Sequence, residues 1–201
     1  YAHREGLELS IEPYDMNPAG DLDLGAVADV PMAEFWNSGF NSAYSVIEAT
    51  SIAHVMGKSV VSAESFTSGG FAGALDAYPG SLKNQGDWAF AAGINRIVFH
   101  TYAHQALGDA CKPGMTMGPY GVHWHRNQTW WPMVPAYHRY LTRCSGLLRQ
   151  GVTVSDVLYL TPEGAPHVFQ APPDALVGSG PLVDKKGYGF DGCSPRILMA
   201  R

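Results

Sequence analysis

The chain has 201 residues and a formal net charge of -5, and 46% of its residues are apolar. This apolar fraction is enough to build a packed core, which excludes an intrinsically disordered chain. Only 15% of the residues are charged and acidic residues outnumber basic ones, so no basic surface for a nucleic-acid partner is present. No apolar run is long enough to cross a membrane. Cys111, Cys144 and Cys193 are too widely spaced for a disulfide framework or a thiolate zinc site.

Four short apolar runs in the first three quarters of the chain have the composition of buried strands. They cover residues 7–11, 27–35, 58–63 and 94–99. Each run ends at or next to a titratable side chain, and these side chains are Glu12, Glu34, Glu64 and His100. Helical spacing of apolar residues is found at 41–56, 81–92 and 135–150, and a glycine follows each of these segments.

A strand, a functional residue at its carboxyl end and then a helix, repeated, is the order of elements in a parallel α/β barrel. Four such units make half of a (β/α)8 TIM-type barrel, so the fold expected for residues 1–151 is a partial barrel that lacks its front. No GxGxxG motif follows the first strand, which argues against a nucleotide-binding doubly wound sheet. A strand run at 152–160 and a Pro- and Gly-rich stretch after it predict an incomplete α/β segment over residues 152–201.

Two carboxylates at strand ends suit the hydrolysis of a glycosidic bond, which needs one acid to protonate the leaving oxygen and one carboxylate to activate water. Glu12 and Glu64 are the candidates for this pair. On the first and third strands they would face each other at a separation compatible with the roughly 6.5–9.5 Å of inverting enzymes. Glu34 could replace either one. The structural alternative is that Glu12 is a loop carboxylate and Glu64 a buried ion-pair partner.

Tryptophans supply flat apolar faces on which a sugar ring can stack, and core packing is their alternative role. Trp88 lies inside a predicted helix, which favours core packing. Trp124, Trp130 and Trp131 lie in a long loop at 105–133, where the two roles are equally compatible with the sequence.

A cluster of histidines raises the possibility of a metal site. The residues concerned are His100, His104, His123 and His125. Their spacing does not match a helical pair with a third ligand, so we interpret them mainly as hydrogen-bonding groups around a polar pocket. A metal-dependent hydrolase that uses these histidines is an alternative function.

Seven stretches of the chain, in order, match one known family. They are EPY (12–14), VPMAEFW (30–36), SIAHVMGK (51–58), AESFTS (63–68), GINRIVFH (93–100) with YAHQ (102–105), TWW (129–131) and GYGFD (187–191). Together they resemble the α-L-rhamnosidase-like glycoside hydrolases of family 106. The resemblance implies a large multidomain enzyme whose (β/α)8 barrel removes terminal α-linked L-rhamnose with inversion and uses calcium at the active site.

The resemblance also assigns roles to parts of this chain. Residues 1–151 would be the last four βα units of the catalytic barrel, and residues 152–201 would begin the next α/β domain. Glu12 and Glu64 would be the general acid and the general base, in an order that the sequence leaves open. The substrate-binding residues would be Glu34, Trp36, His100, His104, His123 and Trp131.

Cofactor and partner expectations follow from the same resemblance. Calcium would draw on carboxylate or carbonyl oxygens and on sugar hydroxyls. The partner would be a carbohydrate substrate, with neither nucleic acid nor a membrane involved. Because a half barrel exposes sheet edges and an apolar face, we expect the isolated chain to self-associate. The hypothesis from a different class is a catalytically silent carbohydrate-binding fragment.

Overall fold

A four-stranded parallel sheet is the centre of the first part of the molecule. The computed structural model describes residues 1–14, 18–70, 75–164, 168–179 and 182–200. The strands of this sheet are β1 (Ser10–Ile11), β2 (Val30–Ser38), β3 (Ser62–Ser68) and β4 (Arg96–Phe99), and they lie side by side in chain order. Each neighbouring pair is parallel. The four predicted strands are therefore confirmed, including β2, in which Pro31 lies opposite Ile11 of β1.

The predicted ends of β2 and β3 are wrong. Glu34 and Glu64 lie inside their strands and not at the carboxyl tips. The ladder between β2 and β3 continues past both glutamates, and Trp36 lies opposite Thr67. A sequence pattern ends a strand where the apolar residues end, whereas a backbone ladder continues over small polar residues as well.

Helices connect the strands and cover one face of the sheet. They are α1 (Asp21–Ala26), α2 (Ala43–Met56), α3 (Pro79–Ala92) and α4 (Val134–Leu148). The helix α1 was not predicted, because six residues are too few to establish a helical period. Gly57 and Gly93 end α2 and α3 in the left-handed conformation that glycine adopts readily. None of the helices in the described ranges has the length and apolarity that a membrane span requires.

The main core lies between the sheet and these helices. Phe35 of β2 and Phe66 of β3 meet edge to face, with ring centroids 5.0 Å apart. Val46 of α2 and Leu82 of α3 belong to the same buried cluster. The opposite face of the sheet is more open, because Val98 of β4, which lies opposite Glu64 in the register and so shares its face, is 43% exposed.

The long loop after β4 supplies part of the core. Trp124 is 2% exposed, and its ring stacks on Phe99 with centroids 4.3 Å apart. Its Nε1 donates a hydrogen bond to His138 Nε2 of α4 at 2.9 Å. Trp124 is therefore a packing residue, and the sugar-stacking role that its sequence position also allowed is wrong for it. Trp88 is buried in α3, as predicted.

The last quarter of the chain contains more elements than the sequence pattern predicted. The described elements include β5 (Val157–Leu160), β6 (Leu176–Ser179), β7 (Leu182–Lys185), β8 (Phe190–Cys193) and α5 (Pro195–Met199). Strand β5 pairs in parallel with β8, and β6 pairs antiparallel with β7. Only the first of these strands was expected, over 152–160. Frequent Pro and Gly residues interrupt the periodicity of the others.

These elements pack against α2 through a second buried cluster. Phe190 and Ile197 share that cluster with Leu22 and Ile52 from the first part of the chain. A hydrogen bond from His54 Nδ1 to Asp191 Oδ1, 2.8 Å long, crosses the same contact. The domain boundary at residue 151 stays a prediction.

Candidate active site

Three glutamates lie on neighbouring strands near one edge of the sheet. Glu34 of β2 is directly opposite Glu64 of β3 in the parallel register. Glu12 directly follows β1, whose last residue lies opposite Pro31. Because side chains alternate along a strand, the three carboxylates point to the face that the helices leave open. We call Glu12, Glu34 and Glu64 the carboxylate cluster.

Glu34 is the most tightly held member of the cluster. It is 6% exposed, and its two carboxylate oxygens accept hydrogen bonds from the Tyr14 hydroxyl and from the Trp36 Nε1. Its backbone is also fixed, because Ser42 Oγ and Ser45 Oγ both donate to its carbonyl oxygen at 2.8 Å. With both oxygens engaged, Glu34 is better placed to orient neighbours than to exchange a proton.

Glu12 is the member whose ionisation is disfavoured most clearly. Burial raises the pKa of its carboxyl to about 7, and repulsion from Glu64 and Glu34 contributes to the shift. Its Oε1 is buried without a hydrogen-bond partner in the described part of the chain. Near neutral pH a large fraction of Glu12 is therefore protonated, which is the state that a general acid needs.

Glu64 has neighbours that act in both directions. Burial raises the pKa of its carboxyl, and Glu34 acts in the same direction. His100, whose Nδ1 lies 3.8 Å from Glu64 Oε1, favours the ionised form, as does the hydroxyl of Thr67, which donates to the same oxygen at 3.2 Å. Glu64 thus has two neighbours that stabilise its carboxylate.

Aromatic rings flank the cluster on one side. Trp36 is half-buried, and its ring meets Phe40 and Tyr120 edge to face at centroid distances of 5.7 Å and 6.0 Å. The backbone chains of Gly39 and Gly69 approach closely here, since a Cβ on Gly39 would lie 3.2 Å from the Gly69 Cα. This close approach holds an apolar wall next to the glutamates.

The structure brings together five of the eight predicted site residues. Glu12, Glu34, Glu64, Trp36 and His100 lie together at the cluster. The contacts of the other three residues lie in the loop after β4. His104 is exposed, and its carbonyl oxygen accepts a hydrogen bond from the Met115 backbone N–H. His123 is buried with its ring 5.8 Å from that of His125, and the Trp131 ring lies 6.2 Å from that of Tyr102. Their role in binding stays a prediction.

Sequence reasoning missed Tyr14, Thr67 and Tyr120. Tyr14 comes two residues after Glu12, so alternation alone could have placed it on the same face. Thr67 could not have been found in this way, because regular alternation puts it on the face opposite to Glu64. Tyr120 lies in the long loop, where no periodicity relates it to Trp36.

The described residues do not form an evident metal site. They contain no group of three or more His, Cys, Asp or Glu side chains that could hold one metal ion. In the carboxylate cluster, both oxygens of Glu34 are already engaged by Tyr14 and Trp36. The calcium that the resemblance implies stays a prediction, and the zinc alternative lacks a set of three such ligands among the described residues.

Comparison with known proteins identifies the family of this chain. The family model of the α-L-rhamnosidases of glycoside hydrolase family 106 matches residues 1–198. The chain belongs to glycoside hydrolase family 106. The expected family membership is thus confirmed. The chain also shares its mixed α/β fold with a parallel sheet with a solved rhamnosidase from Novosphingobium sp. PP1Y, at a TM-score of 0.78 and 29% sequence identity.

This family 106 chain corresponds to a small part of its relatives. The structural match covers 98% of this chain but 19% of the Novosphingobium rhamnosidase. A protein from Formosa agariphila named "Putative beta-glucuronidase" is 39% identical over 189 residues, which are 94% of this chain and 15% of that protein. The two relatives carry different substrate names, so membership in the family leaves the sugar open.

Proposed function

We propose that this chain carries the catalytic carboxylates of a glycosidase that hydrolyses terminal α-L-rhamnosyl bonds with inversion. The observation that carries the proposal is the convergence of Glu12, Glu34 and Glu64 on the open face of a parallel sheet. Two unlike carboxylates near one bound sugar are what glycoside hydrolysis requires. The family model supports rhamnose as the sugar.

Glu12 is the general acid and Glu64 the general base in this proposal. Glu12 donates its proton to the glycosidic oxygen as the bond to the anomeric carbon breaks. Glu64 accepts a proton from the water that attacks the same carbon from the opposite side, so the released sugar has the inverted configuration. After one turnover Glu12 is ionised and Glu64 protonated, and exchange with solvent restores both. The raised pKa of Glu12 supports its role as the acid.

The remaining predicted residues would bind the sugar. Trp36 offers a half-buried apolar face, and His100 lies next to Glu64. His104, His123 and Trp131 would contact substrate from the loop after β4. Calcium remains an expectation of the family resemblance, and no step of the proposed reaction runs through it.

We also propose that residues 1–151 are the last four βα units of a (β/α)8 barrel and that 152–201 begin the next domain. Four parallel strands in chain order, with helices on one face, support this arrangement. Val98 on the open face and Leu160 on β5 are exposed, as expected for surfaces that other strands cover. Self-association of the isolated chain follows, and a monodisperse monomer of 21.7 kDa in light scattering would contradict it.

Hydrolysis of p-nitrophenyl α-L-rhamnoside tests the proposal, with the β-glucuronide as comparison substrate because one relative bears that name. Glu12→Gln and Glu64→Gln should abolish release of nitrophenol. Glu8→Gln, the same change on an exposed side chain, should leave it unchanged. Proton NMR should show the inverted anomer first. Activity that persists in both cluster variants would overturn the assignment.

A carbohydrate-binding fragment without turnover is the second candidate. It is favoured by the small share of the relatives that the chain covers, 15% of one and 19% of the other. Calorimetry should then show L-rhamnose binding by a chain that releases no nitrophenol. Trp36→Ala should weaken that binding, whereas Glu64→Gln should leave much of it intact.

A further inference from the structure

Strand β3 contains one irregularity, at Phe66. Its φ is +66°, a left-handed conformation that side chains with a Cβ seldom adopt. The register with β2 shifts at this point, because Ser65 is opposite Phe35 but Thr67 is opposite Trp36. Phe66 is therefore the extra residue of a β-bulge.

The bulge exchanges the faces of two side chains. In a regular strand Phe66 would share a face with Glu64, and Thr67 would point to the other side. Here Phe66 is fully buried on the helix side of the sheet against Phe35. Thr67 lies instead beside Glu64, and its Oγ1 donates to Glu64 Oε1 at 3.2 Å. The bulge thus places the Thr67 hydroxyl next to Glu64, whereas a regular strand would place it on the other face.

Packing on the helix side stabilises this conformation. The Phe66 ring lies against α3 at Gly86, where a Cβ would come within 3.2 Å of the Phe66 Cζ. Gly86 therefore leaves room for the ring. Burial of the phenylalanine ring therefore offsets part of the cost of its left-handed backbone.

We propose that Thr67 is the positioning residue of Glu64, placed there by the bulge at Phe66. The inference rests on the proposed function, since it takes Glu64 as the general base. Thr67 is 1% exposed, so water does not compete for its hydroxyl. By donating to Oε1 it restricts the rotation of the carboxylate and stabilises its ionised form, which is the form that accepts a proton from the attacking water.

Other charged groups also face Glu64. Glu34 from β2 and Glu12 after β1 oppose its ionisation, and His100 after β4 favours it. Removing the Thr67 hydroxyl takes away one of the two favourable neighbours. The pKa of Glu64 should then rise, and a smaller fraction of the base should be ionised at a given pH.

The test is an NMR titration of the Glu64 side-chain carboxyl carbon in the 201-residue chain, assigned by its loss in Glu64→Gln. Thr67→Val keeps the shape of the side chain and removes the hydroxyl, so it should shift the titration to higher pH. Thr67→Ser restores the hydroxyl and should restore the titration. Thr50→Val is the matched control, because the buried Thr50 hydroxyl bonds to carbonyls of α2.

The titration does not depend on turnover, which separates this inference from the proposed function. An unchanged Glu64 titration in Thr67→Val would overturn the positioning role even if the enzyme is active. If Thr67→Val does not fold, Thr67→Ala against Thr67→Ser decides the same question. In an active enzyme, Thr67→Val should also lower kcat/KM about tenfold. The acidic limb of the profile of kcat/KM against pH should move to higher pH. Equal losses at all pH values would contradict the proposal.

Discussion

The sequence predicts site residues both in the carboxylate cluster and in the loop after β4, but the structure constrains the positions of these two groups in different ways. Glu34 and Glu64 meet because the register of two parallel strands sets their positions. Loop residues have no such constraint, and Trp124 became part of the core. Position on a strand therefore predicts which side chains lie together better than residue type does. The reason is that the hydrogen-bonded ladder determines, to within one residue, which residues of two strands are opposite each other.

The largest expected difference between the two regions is in kcat. Glu64→Gln removes the proposed general base and should lower kcat by about 10²–10⁴-fold. His123→Gln, a change in the loop, should keep kcat and act through KM. Steady-state kinetics on an aryl α-L-rhamnoside compares them. If His123→Gln lowers kcat as far as Glu64→Gln does, the chemistry lies in the loop and the comparison fails.

Stability should separate residues within the loop itself. Trp124→Ala removes a buried ring that stacks on Phe99, so the free energy of unfolding should fall by about 3–5 kcal/mol. Tyr102→Ala, at an exposed ring of the same loop, should change it by less than about 0.5 kcal/mol. Urea denaturation measures both. Equal losses would mean that the loop is not divided into core and surface residues.

Loss of the hydrogen bond from Trp36 to Glu34 should have the next largest effect, which is on kcat/KM. Trp36→Phe keeps an aromatic ring beside Phe40 and removes the donor, leaving one Glu34 oxygen without that partner. A hydrogen bond to a charged group contributes about 1.5 kcal/mol, so kcat/KM should fall roughly tenfold. Trp130→Phe in the loop is the control, and a matching loss there would contradict a specific effect at the cluster.

The stability of the chain should depend on pH through Glu12. Its carboxyl has a pKa of about 7 in the folded state against 4.5 unfolded, so the folded state binds the proton more tightly. The contribution is complete below about pH 4.5 and is lost as pH rises through 7. Because the side chain is partly open to solvent, we expect ~1 kcal/mol.

The variant Glu12→Gln isolates this contribution. Glu64 shifts in the same direction and stays in the variant, so the difference between the two unfolding profiles reports Glu12 together with its repulsion from Glu64 and Glu34. Unfolding in urea at pH 4.5 and 7.5 should show a smaller decrease for Glu12→Gln than for the unchanged chain. Identical decreases would show that Glu12 is not the group responsible.

The smallest effect is expected at His104. Its side chain is exposed, so His104→Ala should change the free energy of unfolding by less than about 0.5 kcal/mol. If His104 binds substrate as proposed, His104→Ala should raise KM a few-fold and leave kcat unchanged. A large fall in kcat would extend the catalytic region into the loop.

The sequence predicted more of the fold than of the site's detail. The strands of the main sheet and the helices α2, α3 and α4 were predictable, because long apolar periodicity survives in a single sequence. The short α1 and the strands β6–β8 were not, since they contain few residues and Pro and Gly interrupt their pattern. In the site, Glu12, Glu34 and Glu64 were found as residues, but the partners Tyr14 and Thr67 were not.

The sequence by itself determined that this chain has acidic residues near the ends of successive buried strands, and it carried the ordered motifs of family 106. Only the tertiary structure decided which of these residues touch. The fold engages both oxygens of Glu34, holds Glu12 half-buried with its protonated form favoured, and turns Thr67 towards Glu64 through the bulge at Phe66. The physical reason is that ionisation and hydrogen bonding depend on distance and burial, which a linear pattern does not contain.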